Sequence, residues 1–281
     1  SDPEADLSDY QAPYLEMGEG GIGLNANYEL GNKRLMLGAT SPILIDNLKG
    51  ERIGSRKSLV ASLEFQSPSE NSFTLMTGVT QDKDNLLGST GNDAYSMSGS
   101  RSNTTFAAIK AQNTIGNDLT LTGIASAAKT NMSKPRDSFI NSASNVNSSS
   151  LSLIATQKNI TGDDSFSLSV SQPNRVNNGE MSIRLSNLAE SDGSITHRNT
   201  NINLKPTGRQ MVYGLTYRKD LDKGIGFSVK HLLTSNLNHN HNSDLARSSY
   251  IGLRYKDLKL GYNINSHDLS ENTELSFNRL F

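Results

Sequence analysis

Apolar side chains recur at alternate positions along most of this chain, which is the period of a strand with one apolar face. From Lys57 to Gln66 one face carries Leu59, Ala61, Leu63 and Phe65, and the other carries Ser58, Ser62 and Glu64. Phe73, Leu75 and Val79 form the next stripe, and Phe166, Leu168 and Val170 alternate with serines. Met181, Ile183 and Leu185 alternate with Ser182 and Arg184. Met211, Tyr213, Leu215 and Tyr217 follow, then Ile225, Phe227 and Val229 opposite Gly226, Ser228 and Lys230. Ile251, Leu253 and Tyr255 face away from Gly252 and Arg254. Leu258, Leu260, Tyr262 and Ile264 face away from Lys259, Gly261 and Asn263. The candidate strands are 22–31, 33–41, 57–66, 71–81, 104–114, 117–128, 147–157, 163–173, 179–186, 198–205, 209–219, 224–234, 247–256, 257–265 and 272–281.

Alternation fits a soluble sandwich with its apolar faces inward. It fits equally a closed barrel whose apolar stripes meet lipid and whose polar face lines a lumen. Other features favour the barrel. No segment carries helical caps with a 3.6-residue period, and the strands run about 9–11 residues, enough to cross a bilayer when tilted. Very short turns, at Gly116-Asn117, Asp222-Lys223-Gly224 and Lys256-Asp257, alternate with long polar loops at 130–147, 187–198, 235–247 and 265–272. Outer-membrane barrels have this asymmetry and an even strand number. The expected fold is therefore all-β: a closed antiparallel transmembrane barrel over 20–281, of about 14 strands, with 12 and 16 open. Residues 1–19 carry several carboxylates and no stripe, and read as a linker or a segment threading the barrel.

Composition agrees. Only 34% of the 281 residues are hydrophobic, and the mean hydropathy is −0.50. A soluble globule of this size would carry about 45–50% apolar residues. With 27 basic and 28 acidic residues the net charge is −1, which gives no electrostatic reason to expect nucleic acid. There are no cysteines, so disulfides, thiolate metal sites and cysteine catalysis are excluded. No apolar run is long enough for a membrane-spanning helix. The chain opens at Ser1 without a methionine or signal peptide, so a leader or a larger N-terminal region is expected to precede it.

Charge on a lipid face costs about 2–4 kcal/mol at the midplane for Arg or Lys. Glu64, Arg184, Lys230, Arg254 and Lys259 therefore belong to the lumen, where they either serve a wet passage or pair across it. The lipid-facing candidates are Leu63, Phe65, Phe166, Leu168, Leu215, Phe227, Val229, Leu253 and Leu260. There is no Trp, so an interfacial girdle would draw on Tyr213, Tyr217, Tyr250, Tyr255 and Tyr262, of which Tyr250 is also a candidate to face inward. The last strand carries Leu275, Phe277 and Phe281 on one face and ends on an aromatic. That resembles the signal read by the outer-membrane assembly machinery, although Arg279 stands where an apolar residue is usual.

Several motifs have a family likeness. Leu86-Leu87-Gly88-Ser89 is one, and Thr104-Thr105-Phe106 followed by 119–127 is another. Ser171-Gln172-Pro173-Asn174-Arg175-Val176, then Gly179, is close to a Ser-Gln-Pro-Leu-Arg-Val pattern, with Asn174 in place of Leu. Leu204-Lys205-Pro206-Thr207-Gly208-Arg209-Gln210 is close to Leu-x-Pro-x-Gly-Arg-Glu, with Gln210 in place of Glu. Together, over about residues 55–256, these resemble the C-terminal translocator barrel of subtilisin-type serine protease autotransporters. The hairpin from Leu258 to Phe281 is additional to the usual family end and departs from its common 12 strands. Gln172, Pro173, Arg175, Gly179, Pro206, Gly208 and Arg209 read as structural residues at turns. Pro173 is expected to close a strand, and Asn177-Asn178-Gly179 to turn the chain back.

The protease half of that family has no counterpart here: there is no Gly-Thr-Ser-x-Ala segment and no Gly-x-Ser-x-Gly elbow. A phosphate-loop motif is also missing. His239 and His241, with Asp244 nearby, are the nearest approach to a metal site, but a third placed ligand is lacking and a solvated loop is the expectation. No cofactor, metal or catalytic residue is assigned. The loop 82–103, with Asp82, Asp84, Asp93 and Arg101, is long enough to fold inward as a constriction or to stand outside.

The expected role is non-enzymatic: translocator and anchor of an autotransporter-like protein in a bacterial outer membrane, passing a polypeptide through a hydrated lumen. The alternatives are a stand-alone channel or a scaffold barrel. Expected partners are outer-membrane lipid, the barrel assembly machinery, and an N-terminal passenger or other outer-membrane subunits.

Overall fold

In the computed structural model strand follows strand with no α-helix between them among the described residues. It describes residues 22–41, 56–67, 71–87, 93–189, 195–221, 225–255, 258–265 and 271–277. The segment 1–19, the turns at 222–224 and 256–257, and Phe281 lie outside them. The strands are β1 (Ile22–Leu30), β2 (Lys33–Ser41), β3 (Arg56–Gln66), β4 (Ser72–Lys83), β5 (Arg101–Ile115), β6 (Leu119–Met132) and β7 (Ile140–Lys158). They continue with β8 (Asp164–Ala189), β9 (Ile195–Asn203), β10 (Met211–Leu221), β11 (Ile225–Ser235), β12 (Ala246–Tyr255), β13 (Leu258–Asn265) and β14 (Glu271–Phe277). All fourteen belong to one antiparallel sheet. Thirteen run in sequence order from β1 to β14, and β9 pairs only with β8. β1 and β14 are the two ends of this path, and no ladder joins them among the described residues.

Among the described residues no second sheet or helical layer covers this sheet, yet one of its faces is buried. Thr80, Ser102, Thr104 and Thr130 are at most 3% exposed. A single layer can enclose one face only by curling round it, as in a barrel. Register assigns the rest. In β4 the inner positions are Ser72, Thr74, Met76, Gly78, Thr80 and Asp82, and the outer ones include Phe73, Leu75 and Val79. The usual distribution is inverted. Among the described residues seventeen polar side chains are buried against thirteen hydrophobic ones, and thirty large apolar side chains are exposed. Inner hydroxyls pair across strands, as in Thr104–Thr130 at 2.8 Å, Ser126–Ser150 at 2.6 Å, Thr156–Ser167 at 2.9 Å, and Thr40–Ser58.

The fifteen expected strands are fourteen because 163–173 and 179–186 are one strand. Pro173 does not end it, and Asn177-Asn178-Gly179 does not turn the chain. The β7–β8 register explains why. Between Gln172 and Asn178, β8 carries two residues more than β7, whose matching positions are Leu151 and Asn147. Pro173 falls in this bulge, just past the Val212–Ser171 pair where the β10 ladder ends, so no ladder asks it for an N–H. β7 gains the residues back, one between Ser144 and Asn147 and one between Ile140 and Ser142. In the first of these Asn145 has φ 51. A Cβ on Gly179 would stand 2.9 Å from Val146 Cα, so that crossing admits only glycine.

At the end of the sheet away from the tight turns, β8 runs on past Ser171, where its β10 ladder ends, and pairs with β9 from Glu180, while β6 accompanies β7 as far as Ala143. There Leu86, Met97, Met132, Ile140, Ala143 and Val146 form the largest apolar cluster, with Leu87, Val176, Met181 and Leu204 packed on it. The β4–β5 connection supplies three of these residues. It is pinned by Gly99 N–H donating to Asp84 Oδ1 at 2.5 Å and Ser102 Oγ donating to Asn85 O at 2.7 Å.

Two aromatic rings lie flat on the inner face over glycines. Phe106, 2% exposed, covers Gly78, whose added Cβ would meet the ring at 2.7 Å. Tyr250 covers Gly252 and Gly261, where a Cβ would come within 2.7 Å and 2.8 Å of it. Of the girdle candidates Tyr250 thus faces inward, while Tyr213 and Tyr255 are exposed on the outer face. Gly261→Val is expected to displace the Tyr250 ring and destabilise the sheet by about 1–3 kcal/mol. This would appear as a lower temperature for the folded-to-unfolded mobility shift on SDS gels, with less than the additive effect when combined with Tyr250→Ala.

Candidate functional site

Two regions concentrate polar chemistry: the inner wall near the tight turns, and a junction of loops at the opposite end. On the wall, Arg254 Nη2 pairs with Asp220 Oδ1 at 2.7 Å on neighbouring inner positions. Lys230 sits between Thr216 and Tyr250 on the same face. Glu64 lies between Arg34 and Thr74, and its Oε1 accepts from Gln66 Nε2 at 3.2 Å. Arg34 itself pairs with Glu29 at 3.2 Å. Register puts Lys259 opposite Arg254. Arg184 is placed elsewhere: it is exposed on the projecting half of β8, opposite Asn199 of β9 and away from the wall. Its neighbours Met181 and Ile183 turn inward there, Ile183 at 5% exposure. That stretch of alternation has the ordinary sense, apolar in and charged out.

The outer candidates share one face. Phe227, Leu253 and Leu260 are consecutive partners in one row, and register adds Leu275. Leu168 pairs with Leu215, Phe166 with Tyr217, and Val229 with both Tyr217 and Ile251. Leu63 pairs with Leu75, and the Phe65 ring lies 6.3 Å from that of Phe73, with Lys33 Nζ 5.5 Å above it. Register also places Phe277 opposite Leu258.

The loop junction brings together the two motifs around Pro173 and Pro206. Beyond the end of the β10 ladder the edge of β8 needs partners. The connection from β9 to β10 and the 3-10 turn Leu237–His239 provide them. Arg175, 8% exposed, donates through Nε to Gly208 O at 2.9 Å and through Nη2 to Pro206 O at 3.2 Å. Gly208 N–H donates to His239 O at 2.7 Å. A Cβ on Gly208 would stand 2.7 Å from the His241 nitrogen, which is why glycine occupies this position. Gln210 N–H donates to His239 Nδ1 at 2.9 Å, so Nε2 carries the proton and donates to Asn174 O at 3.0 Å. Gln172 Nε2 reaches Ser149 O at 3.3 Å, and Gly179 O accepts from Leu204 N–H at 2.9 Å. Arg209 is exposed beside them.

His239 is therefore committed to protein groups rather than placed in a solvated loop. Sequence reasoning missed this because its partners lie 29 and 65 residues away. Among the described residues no group of three His, Cys, Asp or Glu side chains stands together as a metal site. No described helix is long and apolar enough to cross a membrane.

The junction is a structural lock, and its chemistry is that of a buried guanidinium satisfied by carbonyls. Arg175→Met is expected to expose the 204–210 and 236–245 segments to protease while leaving the rest of the sheet folded. Arg175→Lys is expected to rescue it poorly, because an ammonium cannot reproduce the fork. Burial holds the His239 pKa below the usual histidine value; Arg175 and Arg209 push the same way, and the bond to Asn174 opposes them. The opened loop thus binds the proton more readily than the closed one. The lock is intact at neutral pH and above, and weakens as pH falls through the histidine range. The protection factors of the 236–245 amides, each referred to the intrinsic exchange rate at its pH, are expected to fall between about pH 7.5 and pH 5.5, and His239→Gln to flatten that dependence.

The sequence matches no protein-family model and no curated protein.

Proposed function

We propose that the chain is an outer-membrane β-barrel that serves as translocator and membrane anchor for a polypeptide attached before Ser1. The observation that carries the membrane reading is the inversion of the single sheet, with a belt of Leu, Ile, Val, Phe and Tyr outside and Ser, Thr and charge enclosed. Such a belt is insoluble unless lipid covers it. The enclosed face is wet on this reading. Thr114 Oγ1 and Ser152 Oγ are buried inner hydroxyls that no protein group satisfies, and water is the partner such groups take. The translocator role is supported by the two motifs resembling autotransporter barrels, which the Arg175–Gly208 bond brings together. Passage is passive: the barrel supplies a hydrated path and the anchor, and no bond is made or broken.

A second reading, a channel for small solutes, is favoured by the cationic cleft on the inner wall between Lys110, Lys158 and Arg218.

An epitope-tagged polypeptide fused before Ser1, expressed behind a signal peptide in a Gram-negative host, separates the two. External protease is expected to remove the epitope from intact cells. An inserted barrel with its epitope protected on the periplasmic side would leave the channel or scaffold. The lipid-facing assignment has its own test. Leu75→Arg is expected to cost about 2–4 kcal/mol and to abolish membrane assembly. Thr74→Arg, one residue away and beside Glu64, is expected to assemble normally. Equal tolerance of the two would overturn the assignment.

A further inference from the structure

We infer that the inner wall holds a binding site for a multiply charged oxyanion, of the phosphate or sulfate type, between Lys110, Lys158 and Arg218. The inference rests on the reading of that wall as a water-filled lumen and specifies what the lumen recognises. The three cations line one cleft of about 300 Å³. Lys158 of β7 stands opposite Ser165 of β8, and Ser165 opposite Arg218 of β10. Two positive side chains thus flank one serine across three adjacent strands, roughly 10 Å apart at the backbone. Lys110 enters the same cleft from β5. Thr156, Ser167 and Thr216 line it beside them, with Thr156 and Ser167 sharing a 2.9 Å hydrogen bond.

No carboxylate lines the cleft. Two nearby carboxylates are already engaged. Asp118, in the β5–β6 turn, accepts from Asn159 Nδ2 at 2.6 Å, and Asp220 pairs with Arg254 at 2.7 Å. Among the described residues none of the three cationic heads makes an ion pair. Elsewhere on the wall Arg34 and Arg254 each have an acidic partner. Three like charges directed at one cleft repel one another, and an anion between them relieves all three contacts at once. The donor set also fits the shape of the ligand. A planar guanidinium, two ammonium groups and hydroxyls match a tetrahedral oxyanion better than a halide, which gains nothing from the fork. The cleft opens on the face opposite the apolar belt, so the ligand is a free anion in water rather than a lipid headgroup.

The test uses the full chain folded in a neutral detergent, with inorganic phosphate and sulfate as probes in calorimetry. We expect one saturable site for which the two anions compete. Lys158→Gln and Arg218→Gln should each weaken it about ten-fold, whereas Lys83→Gln, on the outer face, should not change it. Absence of saturable uptake at millimolar concentrations would overturn the site, as would unchanged affinity in the double variant. Binding of phosphatidylglycerol without uptake of free phosphate would reassign it to a headgroup. Conductance in planar bilayers keeps this separate from the lumen reading. Ion conduction without phosphate uptake removes the site and keeps the lumen. Phosphate uptake by a protein that conducts nothing keeps the site and removes the lumen.

Discussion

Hydrogen bonds between neighbouring strands tie the described strands into one layer from β1 to β14, and among the described residues neither face has a second layer to rest against. With the backbone satisfied within one layer, each side chain belongs to one of two environments, and successive residues must alternate between them. The hydroxyl pairs, the exposed apolar rows and the flat rings over glycine follow from that arrangement. Serine and threonine suit the inner face because they bond across strands without filling the enclosed space. Where a large side chain does turn inward, as Tyr250 and Phe106 do, the neighbouring strand yields room by carrying glycine.

The tight-turn end and the opposite end solve different problems. At the first, the described connections are short, and Asp164 accepts from the Ile160 and Thr161 amides and from Tyr217 Oη across to β10. At the second, β8 runs on past the end of β10 before β9 joins it, so between Gln172 and Gly179 its edge has carbonyls and amides with no strand beside them. Arg175 and His239 satisfy the loops packed along that edge, and the cluster around Val146 supplies the apolar burial that the wall itself lacks.

Strand existence was legible in the sequence because alternation is local. So was the sense of the wall, once the scarcity of apolar residues was set beside the clear stripes. Two things were not legible, for the same reason. Pro173 and Asn177-Asn178-Gly179 carry the local chemistry of a turn, but the continuing pairing with β7 keeps the chain extended, and a bulge absorbs the proline. Arg184 shares its alternating pattern with Lys230 and Arg254, yet it projects beyond the wall, where the loop cluster makes the apolar side the inside. The pattern reports that two environments exist and does not report which is which. The partners of Arg175 and His239 were hidden for a related reason: loop carbonyls leave no mark on the residue types that supply them.

The β7–β8 pairing has a consequence for how such a wall can change. One inserted residue turns every later side chain of its strand inside out, so a lone insertion in the wall is a lesion along its whole length. β8 takes up two between Gln172 and Asn178, and β7 takes up two further along, so the strands leave the irregular stretch in the phase in which they entered it. Length variation in a sheet of this kind is therefore quantised: wall strands lengthen by pairs, and single steps survive only where the chain has already left the wall for the loops.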